Sequence, residues 1–349
     1  MTMVRIAIIG ATGYGGVELL RLLERHPYAR VSKIISGSHD GDLLADIYPH
    51  LRQLQLDQLE PLDVQEIAAQ IDVAFFATPS GVSKDYIPEL LDLGVRCIDL
   101  SGDFRLRSPG DYDKWYKYSS APSQDYLTQA VYGLSEIFPQ EIQTAKLIAN
   151  PGCYPTTSLL ALIPAIQQGL IKPSSIVIDG KSGVSGAGRG VSLNTHFSEV
   201  NENVKAYKLG VHQHIPEIEQ ILTQATGESM TVTFSTHLIP MTRGMMCTIY
   251  TDMVQTLTTQ QVIDCFQEYY NHQPFVRIRP AGELPATKDV VGSNYCDLGF
   301  MADARTGKLM IISVIDNLVK GAAGQGIQNM NIQQGWAQAT GLTGVPVYP

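Results

Sequence analysis

Val4-Arg5-Ile6-Ala7-Ile8-Ile9-Gly10-Ala11-Thr12-Gly13-Tyr14-Gly15-Gly16-Val17-Glu18-Leu19-Leu20-Arg21-Leu22-Leu23 decides the fold class. The first six residues are β-rich and mostly apolar, as in a parallel strand covered on two sides. The glycines then turn the chain, and the run after Gly16 has the apolar face of a helix. A glycine-rich turn between strand and helix lets the backbone approach a pyrophosphate at the helix start. The spacing is G-x-x-G-x-x-G, and the alternative reading is a turn that holds no ligand. Gly10, Thr12, Gly13, Tyr14 and Gly15 are the candidate cofactor residues.

Outward from this unit the alternation continues. Arg30 to Ile35, Asp72 to Ala77 and Arg96 to Leu100 read as strands, with a helix ending near Leu93 between the last two. This implies a Rossmann-type, doubly wound parallel sheet. Thr78 and Pro79, just after a strand, join the cofactor-facing set. NAD-specific sites usually carry a carboxylate where the second strand ends. Here that end reads Ile35-Ser36-Gly37-Ser38-His39, so Ser36 and Ser38 favour the 2′-phosphate of NADP(H). From Ser101 to Leu127 the pattern lapses among Tyr112, Trp115, Tyr116 and Tyr118. This predicts a covering loop, or an excursion packed on the second domain.

Beyond residue 150 the texture changes. Ser175 to Asp179, Met230 to Thr236, Met245 to Thr251, Tyr295 to Met301 and Leu309 to Ile315 read as strands with few helices between them. That predicts an α+β domain with a largely antiparallel sheet. Leu318 to Trp336 reads as one long helix.

A length of 349 residues allows about two domains of ~150 residues. The net charge of −9 argues against nucleic acid or an anionic membrane as the main partner. Five cysteines with no C-x-x-C pair fit a reducing compartment, and no apolar run nears the ~20 residues of a membrane helix. The expectation is a cytoplasmic protein.

Asn150-Pro151-Gly152-Cys153-Tyr154-Pro155-Thr156-Thr157 sets a thiol after a Pro-Gly turn and before a predicted helix, Thr156 to Gln168. Helix-end amides and the macrodipole favour a thiolate nucleophile there, and the same amides suit an oxyanion. A buried structural cysteine is the plain alternative. His212-Gln213-His214, read as extended, turns both rings to one side, with Glu217 placed to orient an imidazole. Acid/base, metal-binding and structural roles all remain open for the pair, although metal lacks further nearby ligands. Arg105 follows a strand end, where its fork suits phosphate or carboxylate and an ion pair with Asp103 is the alternative. Ser182 and Gly183 open a small-residue loop fit to wrap an anion or a nicotinamide face, or simply to turn. Arg243 is a further candidate anion ligand.

Together these segments resemble the semialdehyde dehydrogenase family, in its arginine-pathway branch. The resemblance rests on Gly10–Gly16, Asp99–Arg105, Asn150–Thr157, Gly183–Arg189, His212–Ile218, His237–Gly244 and Asp316–Asn331, in order along nearly the whole chain. It implies a nucleotide domain of residues 1–149 and 318–349 around a catalytic and oligomerisation domain of 150–317. It also implies NADPH-dependent reduction of N-acetylglutamyl 5-phosphate to N-acetylglutamate 5-semialdehyde, with release of inorganic phosphate, by a homodimer or homotetramer. It places the nucleophile on Cys153 and the active-site histidine within the His212–His214 pair, with His212 preferred. Arg105 becomes the phosphate ligand and Asn317 the contact to the nicotinamide amide. No metal is implied. Aspartyl phosphate or a longer acylated aminoadipyl phosphate are the alternative substrates, and a silent NADP-binding sensor is the alternative class.

Overall fold

The computed structural model describes residues 3–348 apart from 55, 57, 118 and 119, so Tyr118 lies outside the described residues. Two compact units are present: Met1–Pro151 with Ala322–Thr343, and Gly152–Gly321 with Gly344–Pro349. The expected 318–349 tail is therefore divided. Its last part is held in the second unit, where the Val347 amide donates to Val291 O at 2.8 Å.

The first unit is built on β1 (Val4–Ile9), β2 (Ala29–Ile35), β3 (Val73–Phe76), β4 (Arg96–Asp99), β5 (Val131–Tyr132) and β6 (Leu147–Ala149). All pair in parallel, in the order β2-β1-β3-β4-β6-β5. Ile6, Ala7 and Ile8 are fully buried, as two covered faces require. The strand order reverses at β1, which makes the carboxyl ends of β1 and β3 the switch point where ligands of such sheets gather.

The covering loop expected over 101–127 is instead part of this unit's core. Helices Pro109–Trp115 and Gln124–Gln129 form within it. Phe104, Leu106, Tyr112 and Leu127 are buried in the same cluster as Phe76 and Leu147. The Tyr112 hydroxyl accepts from the Leu106 amide at 2.9 Å. Aromatic residues among polar ones read as a loop, but here the rings are the anchors.

The expected helix Leu318–Trp336 divides into a wide π turn, Val319–Ala323, and an α-helix, Gly324–Gln333. Asp316 Oδ1 accepts the amides of Leu318 and Val319 at 2.8 and 3.2 Å, which fixes the start of the turn. The helix is buried although rich in amide side chains, because their N–H groups find acceptors. Gln325 Nε2 and Asn329 Nδ2 both donate to Gly133 O, at 2.9 and 2.8 Å.

The second unit carries β7 (Val177–Gly183), β8 (Lys205–Ala206), β9 (Thr233–Ile239), β10 (Met245–Asp252), β11 (Val276–Ile278), β12 (Cys296–Asp303) and β13 (Lys308–Ile315). Their order is β11-β12-β13-β10-β7-β9-β8, antiparallel except for β7–β9 and β11–β12. Along β10, Met245, Cys247, Ile249 and Thr251 are buried, while Met246, Thr248 and Tyr250 alternate onto a more open face. A helix of residues Cys153–Gln167 packs on β10 and β13 and against the helix His214–Thr226.

Candidate active site

In the first unit, Gly10 has φ +88°, and a Cβ there would lie 2.6 Å from Ala77 O. At Gly16 a Cβ would lie 2.4 Å from Gly10 O. These two glycines are demanded by the fold. Gly13 and Gly15 are not, since their nearest contacts would be 3.5 and 3.6 Å, ordinary van der Waals distances. Their bareness keeps the backbone open at the start of the helix Tyr14–Leu23, whose N-cap, Gly13, offers no side-chain cap. Uncapped helix-start amides suit a pyrophosphate. Thr12 Oγ1 lies 3.3 Å from Ser36 Oγ, so Ser36 is buried and braces the loop. Ser38 is exposed, Tyr14 is exposed at the helix start, Thr78 is half-buried and Pro79 is exposed.

Arg105 and Asp103 are both buried, so neither lies on the surface. Arg105 Nε and Nη2 donate to Asn150 O at 2.7 Å and Leu100 O at 2.9 Å. Asp103 accepts from the Gly81 amide at 2.7 Å and from Ser83 Oγ at 2.9 Å. Asp99 gathers the amides of Ser101 and Asp103 at 3.0 and 3.1 Å. Burial, and then the neighbouring Asp103 charge, push its carboxyl up to about 6. The Arg105 bond to Asn150 O holds the backbone just ahead of Cys153 in the chain.

In the second unit the helix begins at Cys153 itself, not at Thr156, with Gly152 as N-cap. Cys153 is half-buried. The Glu217 carboxylate, fully buried, accepts the Gly152 amide through Oε1 at 2.9 Å, so that oxygen serves the thiol's helix end. A Cβ on Gly321 would lie 2.7 Å from Cys153 Cβ, so the small residues after Asn317 accommodate the Cys153 backbone.

The histidines do not lie on an extended segment. His214 opens the helix His214–Thr226 and His212 precedes it. The rings still share a side, with centroids 4.7 Å apart. His212 Nδ1 accepts the His214 amide at 3.1 Å, which leaves Nε2 as the protonated nitrogen of the neutral ring. Burial, helped by Lys208, pushes the His212 pKa down to about 3. The Tyr154 ring meets both imidazoles edge-on, at 5.7 and 6.0 Å. Tyr154 fits because β7 carries Gly180, where a Cβ would lie 2.5 Å from the Tyr154 ring. Tyr207 and Phe234 complete the wall around His212. These three aromatic residues were missed in the sequence. A glycine inside a strand was the available signal.

Ser182 is buried, and its Oγ donates to Gly183 O at 3.0 Å. Gly183 allows a close pass, since a Cβ would lie 3.0 Å from both Met241 O and Thr242 O. Arg243 is held by both oxygens of buried Asp316, at 3.1 and 3.2 Å. Asn317 accepts the Gly244 amide at 2.8 Å and donates to Ser185 Oγ at 3.0 Å. Asn317 thus ties the 182–188 and 241–244 loops together, and Arg243 anchors the latter to Asp316. Among the described residues no group of three metal-ligating side chains converges.

Two family models cover the chain. Residues 5–145 match the semialdehyde dehydrogenase NAD binding domain, and residues 153–317 match the semialdehyde dehydrogenase dimerisation domain. An N-acetyl-gamma-glutamyl-phosphate reductase from Geobacillus sp. (strain WCH70) is 54% identical over 99% of both chains. The enzyme of that name from Bacillus subtilis (strain 168) is 50% identical over 99% of this chain and 100% of its own. Among solved structures, aspartate semialdehyde dehydrogenase II of Vibrio cholerae shares the fold, with TM-score 0.72 and 19% identity over 95% of this chain and 98% of that one. The NADP complex of the Candida albicans aspartate semialdehyde dehydrogenase matches with TM-score 0.68 and 16% identity, over 95% and 99%. With both domain models matched in order and relatives at this identity over the full length, the chain belongs to the semialdehyde dehydrogenase family of oxidoreductases, on the N-acetyl-gamma-glutamyl-phosphate reductase branch.

Proposed function

We propose that this chain reduces N-acetylglutamyl 5-phosphate to N-acetylglutamate 5-semialdehyde with NADPH, releasing inorganic phosphate, as a cytoplasmic step of arginine biosynthesis. The observation that carries the reading is the thiol of Cys153 as first residue of a helix, in one unit with a paired, aromatic-walled His212 and His214. The helix end favours negative charge on Sγ, the attacking form. Sγ attacks the acyl carbonyl carbon, the carbon–oxygen bond to phosphate breaks, and a thioester remains on Cys153. Helix-start amides hold the transient oxyanion, and the His212 Nε2–H donates to the same oxygen. Arg105 is the proposed phosphate ligand and Glu217 the positioning residue of the Gly152 turn.

NADPH, when bound, supplies the hydride that brings the thioester carbon to the aldehyde level. The open backbone at Gly13 and Gly15, with Tyr14, Thr78 and Pro79, would hold its pyrophosphate end. The absence of a carboxylate at Ser36-Gly37-Ser38 supports NADP over NAD. None of the five cysteines forms a disulfide, which fits a reducing compartment, and among the described residues no helix is long and apolar enough to cross a membrane.

Two apolar surfaces of the second unit support the proposed homodimer or homotetramer. One is the open face of the sheet, with Met246, Tyr250, Met310 and Ile312. The other is the arm of residues 188–211, where Val191, Leu193 and Phe197 are largely exposed. The assay is phosphate-dependent reduction of NADP+ by N-acetylglutamate 5-semialdehyde. Turnover with that aldehyde supports the reading; failure with it, beside turnover of aspartate semialdehyde, overturns it.

A further inference from the structure

The proposed substrate bears an α-carboxylate besides its phosphoryl group, and none of the residues above takes it. The geometry points to Lys208 as the residue that binds this carboxylate, an inference that rests on the function proposed above. Lys208 adopts φ +47°, one of three non-glycine residues with positive φ among those described. A lysine holds that conformation only where its surroundings impose it, and such residues cluster at ligand sites.

The surroundings here are specific. The preceding residue, Tyr207, is pinned to β9: its amide donates to Thr236 O at 3.0 Å and its carbonyl accepts the Thr236 hydroxyl. The Tyr207 hydroxyl donates to that of Tyr154, the neighbour of Cys153, at 3.3 Å. After Lys208 a tight turn closes through Val211 N to Lys208 O at 3.2 Å and delivers the chain to His212.

The side chain then returns to the histidines. Lys208 Nζ donates to Gln213 Oε1 at 2.9 Å, and Gln213 stands between His212 and His214. This tether is neutral. No carboxylate of the described residues pairs with Lys208, although the chain carries nine more acidic than basic residues. The ammonium remains exposed, orientated and uncompensated at the edge of the aromatic wall around His212. Its charge reaches that ring, where it adds to burial in opposing protonation. A carboxylate is the monoanion such a site complements, and Nζ keeps two N–H bonds for it beside the one given to Gln213.

The reverse reaction separates the two anions, because the semialdehyde carries the carboxylate and phosphate enters as its own substrate. Lys208→Gln keeps the Cβ and the turn while removing the charge. It is expected to raise KM for N-acetylglutamate 5-semialdehyde about tenfold or more, the loss typical of one charge-assisted hydrogen bond. The KM values for phosphate and NADP+ and the value of kcat are expected to change by less than about twofold, a split measured against that same bond. Lys208→Arg is expected to restore most of the affinity. An unchanged aldehyde KM, or a rise in the phosphate KM instead, overturns the assignment while leaving the function standing. A wild-type enzyme inactive on this aldehyde sinks both.

Discussion

At the residue scale the arrangement separates two roles that the sequence left joined in His-x-His. His212 is buried, accepts an amide at Nδ1 and resists protonation, with a pKa pushed to about 3. Its ring is thus a neutral Nε2–H donor at working pH, as suits polarising a carbonyl without a competing positive charge. The stability consequence has a definite sign. The unfolded ring takes a proton below about 6.5 and the folded ring does not, so its contribution is full above that pH and drains as pH falls toward 3. Urea unfolding of the wild type and His212→Gln at pH 7 and pH 5 tests this. The wild type should lose stability relative to the variant, by up to about 1.4 kcal/mol per pH unit below 6.5; parallel pH profiles would show that the ring protonates in the native state.

At the element scale the glycine loop divides into glycines that the fold needs and glycines that it does not. Gly16→Ala drives a Cβ into Gly10 O and should lower Tm by several degrees, since overpacking costs ~1–3 kcal/mol. Gly13→Ala meets nothing closer than 3.5 Å and should leave Tm nearly unchanged while weakening NADPH binding about tenfold, roughly 1.4 kcal/mol. Thermal melts with a fluorescence titration of NADPH check both; equal binding by Gly13→Ala and wild type would remove the loop from the cofactor site.

This loop was legible in the sequence because its glycine spacing, strand and helix all point one way. The Cys153 helix was legible as an element but not at its start. The helix was expected from Thr156, whereas Pro155 falls within its first turn, where a proline loses no helical hydrogen bond. The segment 101–127 misled for a related reason. Polar composition hid four side chains whose burial depends on partners distant in sequence. Nor does local pattern reveal that Arg243 and Asn317 are spent on Asp316, Gly244 and Ser185.

At the scale of the whole molecule, the proposed reaction draws on residues of each unit, and the second also carries the apolar surfaces proposed for self-association. The arm of residues 188–211 leaves the Ser182–Gly183 loop and ends at His212. Its exposed Val191, Leu193 and Phe197 are costly in water unless covered. Phe197→Asp changes a side chain that supports no core of its own chain. It should shift light-scattering mass toward a smaller species with unaltered far-UV circular dichroism; an unchanged mass would leave the sheet face as the sole candidate surface.

The central claim is an acyl group carried on one sulfur. The enzyme is mixed with N-acetylglutamyl 5-phosphate in the absence of reduced cofactor, quenched in acid and analysed by intact mass and peptide mapping. A single N-acetylglutamyl adduct on the Cys153 peptide, absent from Cys153→Ala, is the predicted result. Turnover by Cys153→Ala, or an adduct on any other residue, would contradict it.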